Sequence, residues 1–178
     1  MRPPRPVSTT EREGRSAFSL LELIVILIIL AMISAVAVPR VAHAHAEQRV
    51  SAAARRLAAD LTMAQRQARF TASSQTIVVD TTLNRYELSN FAHPDRPSGA
   101  YEVALGSEPY IVDVTSVDFG GDATLVFNGF GRPDSAGQVV LTVGSHGRVV
   151  IVDGTSGKVT IASYEPLPPG EEPPVLEM

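Results

Sequence analysis

The sequence predicts an α+β protein in which one long, kinked N-terminal helix, its first half transmembrane, packs on an antiparallel β-sandwich head. Three observations predict it. Over residues 20–38 every residue but Glu22 and Ser34 is apolar. Beyond Pro39 a second apolar stripe recurs at helical spacing, and from Gln75 the pattern changes to short β-rich runs separated by turn residues.

The chain has 178 residues, enough for one membrane element and one small globular domain. Cysteine is absent, which excludes a disulfide framework, a thiolate metal site and a cysteine nucleophile. Residues 1–17 are polar and proline-rich, with Arg2, Arg5, Arg12 and Arg15 outweighing Glu11 and Glu13. They read as a charged leader rather than a structural element. The leader arginines favour the cytoplasmic side, yet Arg40, Arg49, Arg55 and Arg56 follow the apolar run closely. Arginine counting therefore leaves orientation open.

At ~1.5 Å per residue the apolar run makes a helix of about 28 Å, the thickness of a bilayer's hydrocarbon core. Glu22 sits near its start. A charged side chain in hydrocarbon costs on the order of 2.5–3.5 kcal/mol, so an acid there marks a functional position. A secretory signal cut near Ala35-Val36-Ala37 explains the basic start and the small residues, but its apolar core would be shorter and free of acid. A plain single-pass anchor explains the length and leaves Glu22 without a purpose, unless it snorkels to the interface.

Ala17-Phe18-Ser19-Leu20-Leu21-Glu22, followed by the apolar run and Pro39, resembles the prepilin signal of type IV pilins and type II secretion pseudopilins. The resemblance implies a pilin-like fold. It implies that a prepilin peptidase cuts between Ala17 and Phe18 on the cytoplasmic side and methylates the new amino terminus of Phe18. Glu22 and Pro39 then fall where the family carries its assembly glutamate and its helix-kinking proline. The family usually has glycine before the cut, where Ala17 stands here, and Ser19 replaces the commoner threonine. In such assemblies Glu22 of an incoming subunit pairs with the amino terminus of a neighbour, because an unpaired carboxylate in hydrocarbon is costly. Removing the leader also takes the formal charge from −4 to −6, with eleven basic against seventeen acidic side chains left.

Past Pro39, which deletes a helical hydrogen bond and kinks the chain, Val50, Leu57, Leu61, Ala64 and Ala68 form one apolar stripe. Arg56 and Asp60 make an i,i+4 pair. The helix is expected to continue to about residue 73 and to reach roughly 80 Å. Strands are expected over residues 76–80, 85–88, 110–119, 124–127, 138–143, 148–152 and 158–161, the last three as an antiparallel meander. Residues 93–106, with Pro94, Pro97 and Gly99, read as an irregular loop. The domain plan is a leader at 1–17, a transmembrane half-helix at 18–39, an amphipathic half at 40–73, a β-rich periplasmic head at 74–164 and a disordered acidic, proline-rich tail at 165–178.

Phe127-Asn128-Gly129-Phe130-Gly131-Arg132-Pro133, then Ser145-His146-Gly147-Arg148-Val149 and Gly157-Lys158-Val159, resemble the head of the GspH/FimT-like minor pseudopilins. The resemblance implies a non-enzymatic tip or priming subunit of a type II secretion pseudopilus, held in the bacterial inner membrane with its head in the periplasm. Its partners would be the prepilin peptidase, major and minor pseudopilins, the inner-membrane assembly platform and the lipid bilayer. A minor pilin of a type IV pilus, serving pilus assembly or DNA uptake, is the alternative within the family. Outside it stands a generic membrane-anchored or secreted β-domain that binds a partner.

No catalytic, metal or cofactor constellation emerges. His43 and Glu47 share a helical face but His45 does not, so the spacing is not that of a metal motif. Ser145, His146 and Asp153 fall in turn sequences without an oxyanion site. Asp153 before Gly154 is a single carboxylate, a turn residue before a calcium ligand. Residues 75–178 carry five basic side chains against fourteen acidic ones, which disfavours nucleic acid.

Overall fold

The computed structural model of the chain describes residues 19–93 and 96–164. Within them the order is α1 (Leu20–Thr71), β1 (Gln75–Asp80), β2 (Arg85–His93), β3 (Arg96–Ala104), β4 (Asp113–Asp118), β5 (Thr124–Phe127), β6 (Gly137–Val143), β7 (His146–Val152) and β8 (Val159–Tyr164). The chain divides into two compact units between Val41 and Ala42. In the first, the described part is helix alone. The leader, the cleavage pair Ala17 and Phe18, the tail at 165–178, and the side chain and expected kink at Pro39 lie outside what is described.

The helix starts where its sequence provides a cap. Ser19 precedes the first helical residue, its carbonyl accepts the Leu23 amide at 3.1 Å, and Glu22 sits in the first turn. Ser-x-x-Glu is the spacing of a capping box, and an acid there also complements the helix dipole. At the other end Ala72 takes φ +49°, the left-handed conformation that closes a helix.

The second unit is built on the stripe read from the sequence. Val50, Leu57, Leu61, Ala64 and Ala68 are all buried, together with Ala53 and Ala54. Four residues of this buried face are alanines. Two four-stranded antiparallel sheets, ordered β3-β2-β1-β5 and β4-β6-β7-β8, share one apolar core with it. Alternation selects the inward residues. In β1, Ile77 and Val79 are buried while Val78 is exposed, and Ile77 stands opposite Leu88 of β2 and Leu125 of β5. The strands β6, β7 and β8 form the expected meander, with Val140 opposite Val149 and Val150 opposite Ile161.

Two expectations are corrected. Residues 93–106 are not an irregular loop, because β2 runs on to His93 and Arg96–Ala104 forms a strand against it. The reason is position. β3 is an edge strand, where a proline removes no needed ladder bond, and a register shift between Leu88 and Ala92 absorbs the mismatch. The strand expected over 110–119 is shorter, Asp113–Asp118, because Ile111 takes φ +52° just before it.

Candidate assembly site

The sequence places the assembly residues on the helix, and the structure describes one of them fully. Glu22 lies in the first turn of α1. Around it the apolar side chains are uncovered: Leu20 is 76 % exposed, Leu21 70 %, and even the least exposed, Ile26, 40 %. The one hydroxyl in this stretch, Ser34, returns its proton to the Leu30 carbonyl at 2.8 Å, so it needs no outside partner. Among the described residues no helix is long and apolar enough to cross a membrane. The described side chains of the apolar run stop at Ala35, and the run itself goes on to Val38. Ala17, Phe18 and the Pro39 side chain lie outside the described residues.

Within the second unit polar ties hold the helix to the head, among them Arg69 Nε donating to the Phe130 carbonyl at 3.2 Å and three larger sets. The first is buried. Asp60 is an acid at a stripe position, three residues after Leu57 and four before Ala64, and only 5 % of it is exposed. Its Oδ2 accepts from the Tyr86 hydroxyl of β2 at 2.5 Å, from the Tyr101 hydroxyl of β3 at 3.0 Å and from Arg56 Nε at 3.0 Å. Arg56 also donates to the Tyr101 hydroxyl and lies over its ring, 5.9 Å from the centroid. A buried carboxylate is tolerable only when its lone pairs are used and a cation is near, and both conditions hold here. Burial, then the Asp60 charge and the hydrogen bond to it, push both tyrosine hydroxyls above their ordinary pKa.

The second tie reaches two loops. Gln65 Nε2 donates to the carbonyls of Gly131 at 2.8 Å and Ser156 at 2.9 Å. Such an approach requires glycine. A Cβ on Gly157, whose φ is +68°, would stand 2.3 Å from Gln65 Nε2, and one on Gly131 would stand 2.2 Å from Arg69 Nε. The third tie is Arg148 of β7, which donates to Glu47 at 3.2 Å, Ser51 at 3.3 Å and Ser163 at 2.9 Å. It walls a cleft of about 310 Å³ that Glu47, Val50, Ser145, His146 and Tyr164 also line.

The sequence reading missed these ties except for the Arg56–Asp60 pair. Asp60 and Gln65 were detectable as polar residues at stripe spacing. Their β-strand and loop partners, 26 to 91 residues away, were not.

His43 and His146 meet edge to face, with ring centroids 5.7 Å apart, and His146 Nε2 is buried with no partner among the described residues. Asp153 lies past the far end of β7, roughly 20 Å from His146 at the ~3.3 Å rise of a strand. There its carboxylate caps a turn, accepting from the amides of Thr155 and Ser156 and the Ser156 hydroxyl. Those bonds hold it below the usual carboxylate pKa. Among the described residues no three His, Asp or Glu side chains gather as a metal site.

A helix gripped by two sheets along its second half, with an uncovered apolar first part, defines a pilin-like structural subunit. Residues 53–157 match the model of the family described as Type II transport protein GspH, and since these are more than half of the chain, the protein belongs to that family. The chain is also similar to the crystal structure of the type IV minor pilin FimU from Pseudomonas aeruginosa (strain PAO1). The identity is 14 % over 66 % of this chain and 89 % of that one, with a TM-score of 0.47. No curated protein matches it significantly.

Proposed function

We propose that the protein is a minor pseudopilin of a type II protein secretion system, a tip or priming subunit that enters a filament through its N-terminal helix. The observation that carries this reading is Glu22, an acid set at the first turn of a helix whose apolar side chains over residues 20–35 are uncovered. Uncovered side chains of this kind need a bilayer before assembly and neighbouring helices after it. In this reading the prepilin peptidase frees Phe18 as a methylated amino terminus. Residues 18–39 then span the inner membrane, Pro39 kinks the helix, and the head stands in the periplasm. Glu22 pairs with the Phe18 amine of a neighbouring pseudopilin on the assembly platform, which removes an unpaired charge from hydrocarbon.

The acidic balance of residues 75–178 favours secretion over DNA uptake, since phosphate binding rests on lysine and arginine. Deleting the gene in its native host tests the choice. Loss of secreted proteins with pili and DNA uptake intact supports it. Loss of pili or uptake with secretion intact overturns it.

A further inference from the structure

One face of α1 carries His43, Glu47 and Ser51, each a helical turn from the next. Against it lies the start of β7, where His146 and Arg148 stand two residues apart and so on one side of the strand. Four residues of helix rise about 6 Å and two of strand about 6.7 Å, so the two rows keep step. Arg148 meets Glu47 at 3.2 Å and Ser51 at 3.3 Å. One step along the rows His146 meets His43, with ring centroids 5.7 Å apart and planes at 71°. Both rings belong to the second unit. The helix alone offers His43 and Glu47 as metal ligands on one face, and β7 brings it an imidazole.

We propose that His43 and His146 hold one borderline divalent metal ion, Zn2+ or Cu2+, with water in its remaining positions. His146 Nε2 is buried and has no hydrogen-bond partner among the described residues. In either tautomer that nitrogen is a donor or an acceptor, and a buried polar atom without a partner calls for an ion or a water. The spacing suits a shared ion. With Zn–N bonds of about 2.0–2.1 Å each ring centre stands roughly 3 Å from the metal, and two such reaches cover the observed separation. There is room for the waters: His146 lines the cleft of about 310 Å³ with Glu47, Ser145 and Tyr164, and a water takes about 30 Å³. The Arg148 guanidinium, two residues along, has its charge met by Glu47, so that carboxylate stays outside the ligand set and no third side chain joins the pair among the described residues. Imidazole selects the class of ion, since zinc and copper accept nitrogen while calcium and magnesium require oxygen. One ligand comes from α1 and the other from β7, so the bound ion clasps helix to strand. The site needs nothing from the filament reading.

Isothermal titration of the full chain in detergent with zinc chloride tests this. One ion per chain is expected, and His43→Ala and His146→Ala should each weaken binding by at least about tenfold. His45→Ala, on another face of the helix, should leave it unchanged. Cu2+ on the unaltered chain gives a readout that needs no variant: its electron paramagnetic resonance spectrum should show coupling to two imidazole nitrogens. A spectrum with oxygen ligands alone, or with one imidazole, overturns the proposal. So does the absence of zinc binding, or binding that survives His146→Ala. Half an ion per chain also overturns it, in favour of a bridge between two copies, and calcium bound as tightly as zinc overturns it in favour of carboxylates.

Discussion

The Tyr86 hydroxyl donates a 2.5 Å hydrogen bond to the Asp60 carboxylate, fastening β2 to α1 inside the core. Tyr101 and Arg56 use the same carboxylate oxygen, so one acid joins the helix to two strands of one sheet. A hydrogen bond to a charged group contributes about 1.5–3 kcal/mol, and more is lost when a buried group is left unpaired. Tyr86→Phe is expected to cost about 2 kcal/mol and Asp60→Ala about 3 kcal/mol, the latter because two hydroxyls and a guanidinium lose their acceptor. Urea unfolding followed by circular dichroism checks both. A loss below half a kilocalorie for Asp60→Ala would mean the cluster is incidental.

The same tyrosines set an alkaline limit. Both hold their protons more tightly folded than unfolded, where the ordinary value is about 10. Their contribution is therefore complete below pH ~10 and falls as the unfolded chain begins to lose protons that the folded chain keeps. The slope for Tyr86 is about −1.4 kcal/mol per pH unit above that point. Unfolding free energies between pH 9 and 11 should show the fall, and Tyr86→Phe should make it shallower. An equal slope in wild type and variant contradicts the burial of that hydroxyl.

Gly157 permits the contact between α1 and the loop after β7. Gly157→Ala meets both a left-handed φ and a Cβ 2.3 Å from Gln65 Nε2. Strain of about 1–2 kcal/mol and the loss of Gln65's two carbonyl contacts should together cost about 2–3 kcal/mol. Gln65→Ala should cost less, because it loses only the bonds and leaves the Gly157 backbone unstrained. In Gln65→Ala, a following Gly157→Ala should therefore cost less than in wild type, which a double-mutant cycle reads directly.

Glu22 has two roles that substitution separates. As the fourth residue of Ser19-Leu20-Leu21-Glu22 it supports the helix start, and glutamine serves that purpose equally well. As the charge proposed to meet a neighbour's amino terminus it has no neutral substitute. Glu22→Gln should therefore keep membrane insertion and helix content yet fail to enter filaments, and Glu22→Ala should fail in the same way. Normal incorporation of Glu22→Gln, measured by its share of sheared filaments, removes the charge from the mechanism.

The helix and its inward face could be read from sequence because Val50, Leu57, Leu61, Ala64 and Ala68 repeat at helical spacing, a local signal. The meander could be read because Gly144-Ser145 and Gly154–Gly157 interrupt β-rich runs. β3 could not, since Pro97 and Gly99 break the local pattern and only the edge position, a property of the finished sheet, makes them acceptable. In the sequence Asp60 reads only as the i,i+4 partner of Arg56. Its burial depends on Tyr86 and Tyr101, which arrive from strands that local periodicity does not connect to the helix.

The mature amino terminus, read by mass spectrometry on the protein recovered from its own membrane, tests the assembly account most directly. The account predicts a chain that begins at Phe18 with a methylated amine. An intact Met1, or a chain that begins at Val38, contradicts it.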